Sequence, residues 1–113
     1  MKPAARFYMT DKRIVLSTAG SEEEGRKIAR YLVEHQFAAC VNIVPRIESV
    51  YRWQGKVESS SECLLLIKTT ADRFPAVRDA LGELHSYELP ECVAISVEEG
   101  STEYLDWIGE SVK

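Results

Sequence analysis

Apolar positions along the chain fall into short blocks, and their spacing switches between unbroken runs and helical period. The run Ile14-Val15-Leu16, closed by Ser17-Thr18-Ala19-Gly20, predicts a buried strand and a turn. Ser21 then precedes Glu22, Glu23 and Glu24, an N-cap followed by acids that suit the positive end of a helix dipole. Ser21 and Glu24 also have capping-box spacing. Ile28, Ala29, Leu32 and Val33 recur with helical period, so an amphipathic helix runs to about His35. Ala39 to Val44 predicts a second strand buried on both faces. Pro45 cannot donate to a ladder and marks an edge or bulge in a strand that continues through Ile47 to Tyr51. Gln54-Gly55 supplies a turn, Lys56-Val57-Glu58 starts the return arm of a hairpin, and Cys63 to Ile67 is a buried strand.

Thr70 and Asp72 are both candidate N-caps for a second helix, in which Pro75 is tolerated because first-turn amides lack intrahelical partners. Phe74, Val77, Leu81 and Leu84 form its apolar stripe. A loop from His85 to Glu91 leads to a fourth strand, Cys92 to Val97, and Ser101 caps a final helix with Leu105 and Ile108 inward. The order is strand, helix, strand, strand, helix, strand and a helical tail. Right-handed crossovers then give an α+β, ferredoxin-like βαββαβ sandwich with an added C-terminal helix, both main helices on one sheet face. Residues 14–113 form that single domain and residues 1–13 an N-terminal extension. The apolar strands leave the sheet's other face short of cover, which predicts self-association.

Composition narrows the class. The chain has 113 residues, 45% hydrophobic and 28% charged, the balance of one ordinary globular domain. Its net charge of −4 argues against non-specific nucleic-acid binding, which needs a basic footprint. No apolar stretch approaches a membrane span, and Met1 to Arg13 lacks the apolar core of a signal peptide. Cys40, Cys63 and Cys92 are an odd set without C-x-x-C spacing, pointing to free thiols in a reducing, cytoplasmic setting.

Candidate chemistry is sparse. P-loop, G-x-G-x-x-G, H-E-x-x-H and G-x-S-x-G patterns are absent, so no catalytic constellation is written and the expectation is a non-enzyme. His35 ends a helix, where a cation favours the dipole. His85 stands beside Tyr87, Glu88 and Glu91; it either caps the second helix or joins them in binding a cation or polar ligand. The cysteines read as buried packing, Tyr51 and Trp53 as core or interface, and Glu22 to Glu24 as a solvated first turn.

Ala38-Ala39-Cys40-Val41-Asn42-Ile43, Ser49 through Glu58 with its Tyr51-Arg52-Trp53-Gln54-Gly55-Lys56 core, and Ile67-Lys68-Thr69 together resemble the CutA divalent-cation tolerance family. His85 to Glu91 resembles its H-P-Y-E-x-P-E motif, and Tyr104 to Ile108 its ending. The resemblance runs from about Ile14 to the C-terminus. It implies a homotrimer, tolerance of copper and other divalent ions, and no established catalysis. Proposed ligands in copper-binding relatives include a first-strand cysteine and paired histidines. The matching positions here are Ser17 and Leu84-His85, leaving His85 as the metal candidate with copper or another divalent cation bound weakly. Ser86 replaces the motif's proline and should loosen the loop.

The leading expectation is therefore a cytoplasmic, trimeric divalent-cation tolerance protein, with divalent metal ions and its own copies as partners. A second reading is a small-molecule sensor resembling the trimeric PII proteins, with a metabolite in inter-subunit clefts lined by Lys68, Tyr87, Glu88 and Glu91. A third, an acylphosphatase-like hydrolase, lacks its phosphate cradle.

Overall fold

The structure is a computed structural model that describes residues 10–113; of the 1–13 extension, residues 1–9 lie outside the described residues. The elements are β1 (Lys12–Ala19), α1 (Glu22–Glu34), β2 (Cys40–Trp53), β3 (Lys56–Thr70), α2 (Phe74–Leu84), β4 (Val93–Ser96) and α3 (Thr102–Ser111). β1 starts two residues before Ile14 because Lys12 and Arg13 already pair with Thr70 and Thr69. The sheet order is β2-β3-β1-β4 with every neighbour antiparallel, the βαββαβ arrangement that the element order predicts.

Strand alternation divides the side chains between two faces. Val15 and Ala19 of β1 and Cys63, Leu65 and Ile67 of β3 face the helices and pack with Ile28, Leu32, Val77 and Leu81. Full burial of an aliphatic side chain contributes roughly 1.5–3 kcal/mol, so this layer holds the helices to the sheet. α1 starts where the polar code places it: the Ser21 hydroxyl accepts the Glu24 N–H at 3.1 Å. α2 starts differently. Arg73, rather than Thr70 or Asp72, occupies the N-cap and makes no side-chain cap bond. The Thr70 hydroxyl instead accepts the Arg73 N–H at 3.3 Å, satisfying the turn one step earlier. Ser101 does stand at the N-cap of α3, but its hydroxyl caps nothing and only its carbonyl accepts, from Leu105.

The other face is only partly covered. α3 lies against it, bringing the Tyr104 hydroxyl within 3.3 Å of Lys68 Nζ, while Arg73 Nε donates to the carbonyl of Val112 at 2.7 Å. Val44, Val93 and Ile95 stay 38%, 52% and 47% exposed there. The fourth strand is shorter than the expected Cys92–Val97 and exposed throughout, because it is an edge strand on the uncovered side. Nor are all three cysteines buried: Cys63 is, whereas Cys40 and Cys92 are partly exposed.

β2 and β3 are one long ribbon rather than the separate short strands expected around Ser59–Glu62. Their 14 and 15 residues, at about 3.3 Å each, account for most of the molecule's 55 Å long axis. Gln54 and Gly55 both take positive φ, 51° and 81°, which the two-residue turn joining twisted strands demands. Between Val44 and Ile47 the register shifts, with Arg46 at φ 55°. Two β2 residues there oppose the single β3 residue Cys63, a bulge that reverses which residues face the core. Before it Val41 and Ile43 face the helices; after it Ile47, Ser49, Tyr51 and Trp53 point to the opposite side, across from Glu62, Ser60, Glu58 and Lys56.

Candidate functional site

The bulge turns Tyr51 and Trp53 toward the loop that follows α2. Between ribbon and loop lies a cleft of about 560 Å³, lined chiefly by Tyr51, Trp53, Glu62, Tyr87, Glu88 and Glu91. Among the described residues no Lys, Arg or His side chain lines it. Tyr87 closes the inner wall by donating its hydroxyl to Glu62 Oε2 at 2.6 Å. Burial first, and then the Glu62 carboxylate, push the Tyr87 phenol well above its ordinary value of 10.0, so it remains a neutral donor.

His85 fixes the loop from beneath. Its backbone N–H caps α2 by donating to the Leu81 carbonyl at 3.1 Å, the capping role open to it in the sequence. Its side chain is fully buried. Nδ1 accepts the Tyr87 N–H at 3.0 Å, which leaves Nε2 as the protonated nitrogen that donates to the Thr18 carbonyl at 2.6 Å. A metal at His85 has to displace one of these bonds. The imidazole thus ties the end of β1 to the first residue of the cleft wall.

A second clasp was not legible in the sequence. Glu24, read as part of a solvated first turn, reaches across to the loop: its Oε2 accepts the Ser86 N–H at 2.8 Å and its Oε1 the Ser86 hydroxyl at 3.1 Å. Burial works against the carboxylate, but the Ser86 N–H and hydroxyl outweigh it and hold the Glu24 pKa below 4.5. Ser86 therefore anchors the loop instead of loosening it. A proline there has neither the N–H nor the hydroxyl.

Of the four cleft candidates, Tyr87, Glu88 and Glu91 come together and Lys68 does not; Lys68 lies under α3, with Nζ 5.5 Å from the centre of the Tyr104 ring. Ser17 sits on the core face of β1, fully buried, with no partner for its hydroxyl among the described residues. Tyr51 and Trp53, read as core or interface, are 40% and 39% exposed on the cleft. Glu62 went unnoticed, although an acid directly before the apolar run Cys63–Ile67 is the signal that could have found it. No group of three or more His, Cys, Asp or Glu side chains stands in metal-holding geometry among the described residues. No described helix is long and apolar enough to cross a membrane.

Comparison with known proteins decides the family. A family model described as "CutA1 divalent ion tolerance protein" matches residues 13–111. The chain belongs to the CutA1 family. The divalent-cation tolerance protein CutA of Thermus thermophilus is 51% identical over 100 residues, covering 88% of this chain and 97% of that protein. Human protein CutA is 44% identical over 91 residues, covering 80% of this chain. The chain spans about half the length of the human relative and of the chloroplastic Arabidopsis thaliana one, 51% and 55%. Among solved structures, CutA from Xylella fastidiosa superposes with a TM-score of 0.90 at 41% identity, covering 92% of this chain and 100% of that one. A structure described as the periplasmic divalent cation tolerance protein CutA from Archaeoglobus fulgidus gives 0.88 at 43% identity, covering 90% and 99%. The family thus has members named for quite different compartments on one CutA1 architecture.

Proposed function

We propose that the chain serves divalent-cation tolerance as a cytoplasmic homotrimer, meeting copper or another divalent ion weakly at the cleft beside the 87–91 loop. The observation that carries the metal reading is the lining: Glu62, Glu88 and Glu91 bring carboxylates to a cleft that no cationic side chain among the described residues lines. Carboxylate oxygens are ordinary ligands for divalent ions, and membership of the family supplies the context. Because one chain offers no three-ligand cluster among its described residues, water or a neighbouring copy completes the coordination and affinity is low. His85 contributes by position, holding Tyr87 and the strand end together. The trimer reading rests on the exposed apolar positions Val44, Val93 and Ile95, which a partner surface would cover. The cytoplasmic reading rests on three unpaired cysteines.

Light scattering on the purified protein should give the mass of three chains. Calorimetric titration with Cu²⁺ should show weak saturable binding that falls roughly tenfold, about 1.4 kcal/mol, when Glu88 and Glu91 become Gln. His85→Asn should leave most of it. A monomer, or heats unchanged by the carboxylate substitutions, overturns the corresponding half of the proposal.

A further inference from the structure

The same cleft holds a feature that metal binding does not use. Glu62 is only 9% exposed, yet its carboxylate has one hydrogen-bond partner, the Tyr87 hydroxyl at Oε2. Among the described residues Oε1 accepts no hydrogen bond, and Glu62 forms no ion pair. Its free oxygen is open to the cleft, and a carboxylate otherwise withdrawn from solvent and without a counter-charge attracts a cation placed against that oxygen. On the same side of the ribbon as Glu62 and nearer the turn, Tyr51 and Trp53 lie two residues apart, both with ring surface open to the cleft. Aromatic faces attract cations and also bury methylenes, which a hydrated metal ion does not have. At about 560 Å³ the cleft is in the size range of small-molecule sites and larger than a bare ion requires.

We propose that this cleft binds an organic ammonium ion, one nitrogen against Glu62 Oε1 and the carbon chain across Tyr51 and Trp53. Glu88 and Glu91 at the rim suit a second positive nitrogen, so a diammonium ion of a few methylenes matches the lining better than a monoammonium. The inference shares the cleft with the proposed function but not its ligand, so failure of copper binding leaves it standing, and its own failure leaves copper binding untouched.

The test uses the full chain with Trp107→Phe, so that Trp53 is the sole fluorescent tryptophan. Pentane-1,5-diammonium is titrated against two controls, the uncharged pentane-1,5-diol and Mg²⁺, which has the same charge without the methylenes. The expected result is saturable change in Trp53 emission with the diammonium, at least tenfold weaker with either control. Glu62→Gln should weaken it at least tenfold while its amide oxygen still accepts from Tyr87, and Tyr51→Leu should weaken it severalfold. Should Glu62→Gln fail to fold, the unaltered carboxylate decides through the controls: diol or Mg²⁺ binding as tightly as the diammonium overturns the inference, as does no saturable response.

Discussion

Gly25→Ala is expected to reverse the usual effect of placing alanine in a helix. Gly25 is buried in α1 over β3, and a Cβ built there meets Cys63 Sγ at 2.6 Å, inside any real contact distance. The next nearest atoms, Leu65 Cδ2 at 3.5 Å and Ala19 Cβ at 3.8 Å, are ordinary van der Waals neighbours, so the sulfur alone refuses the methyl group. Replacing an interior helical glycine by alanine gains about 1 kcal/mol of backbone propensity. Forcing an extra methyl into a packed layer costs about 1–3 kcal/mol, and a contact more than an ångström short belongs at the upper end. The net expectation is a loss of about 1–2 kcal/mol. With Cys63→Ala the obstruction is gone, so the same change should gain about 1 kcal/mol in that background. The coupling between the two sites is then about 2–3 kcal/mol, the range of residues in direct contact. Urea unfolding of the four proteins at one fixed chain concentration measures it, provided m is unchanged. Stabilisation by Gly25→Ala alone, or an equal effect in both backgrounds, refutes the reasoning.

Ser17→Ala should stabilise the fold by about 1 kcal/mol in the same assay, because it removes a buried hydroxyl that has no partner among the described residues. Tyr87→Phe should cost about 1.5–3 kcal/mol by leaving the buried Glu62 carboxylate without its donor. Since the folded pKa of Tyr87 is raised, its stabilising contribution is complete below pH 10.0 and is lost as pH climbs above it; absorbance titration of the native protein should show one tyrosine that resists ionisation. Glu24 has the opposite sign: its folded pKa is depressed, so its contribution is present above pH 4.5 and lost as pH falls below. Glu24→Gln should therefore lower stability at neutral pH and flatten the acid limb of stability against pH; an unchanged limb in thermal unfolding would refute the Ser86 clasp.

What could be read from the residues alone was what repeats. The period of Ile28, Ala29 and Leu32 and the unbroken runs around Val15 and Leu65 dictate helix and strand wherever the chain is placed, so element order and sheet plan follow. Contacts between distant residues were not legible in this way. Glu24 and Ser86 are 62 residues apart and each has a bland local role, a first-turn acid and a loop serine. His85 showed its cap through local spacing, whereas the engagement of both ring nitrogens depends on Thr18, 67 residues away. Lys68 is a candidate for a cleft between subunits, and within one chain strand alternation and the covering α3 set it apart from the 87–91 loop. The side that Tyr51 and Trp53 take was not legible for a simpler reason: Pro45 announces a bulge, but its effect on facing depends on the partner strand's count.

That bulge gives the ribbon something akin to a reading frame. Side chains alternate in twos, so one residue lost or gained between Ile47 and Tyr51, with the bulge unchanged, is a frameshift for everything out to the turn. Losing Glu48 alone, with the bulge kept, would deliver Val50 and Arg52 to the cleft and turn Tyr51 and Trp53 to the side of Val41 and Ile43, whereas losing Pro45 closes the bulge and leaves both rings across from Glu58 and Lys56. Two residues removed together would shorten the ribbon and keep its sense. Length variation in this hairpin among relatives should accordingly come in even steps on each strand, or be matched by gain or loss of the bulge itself.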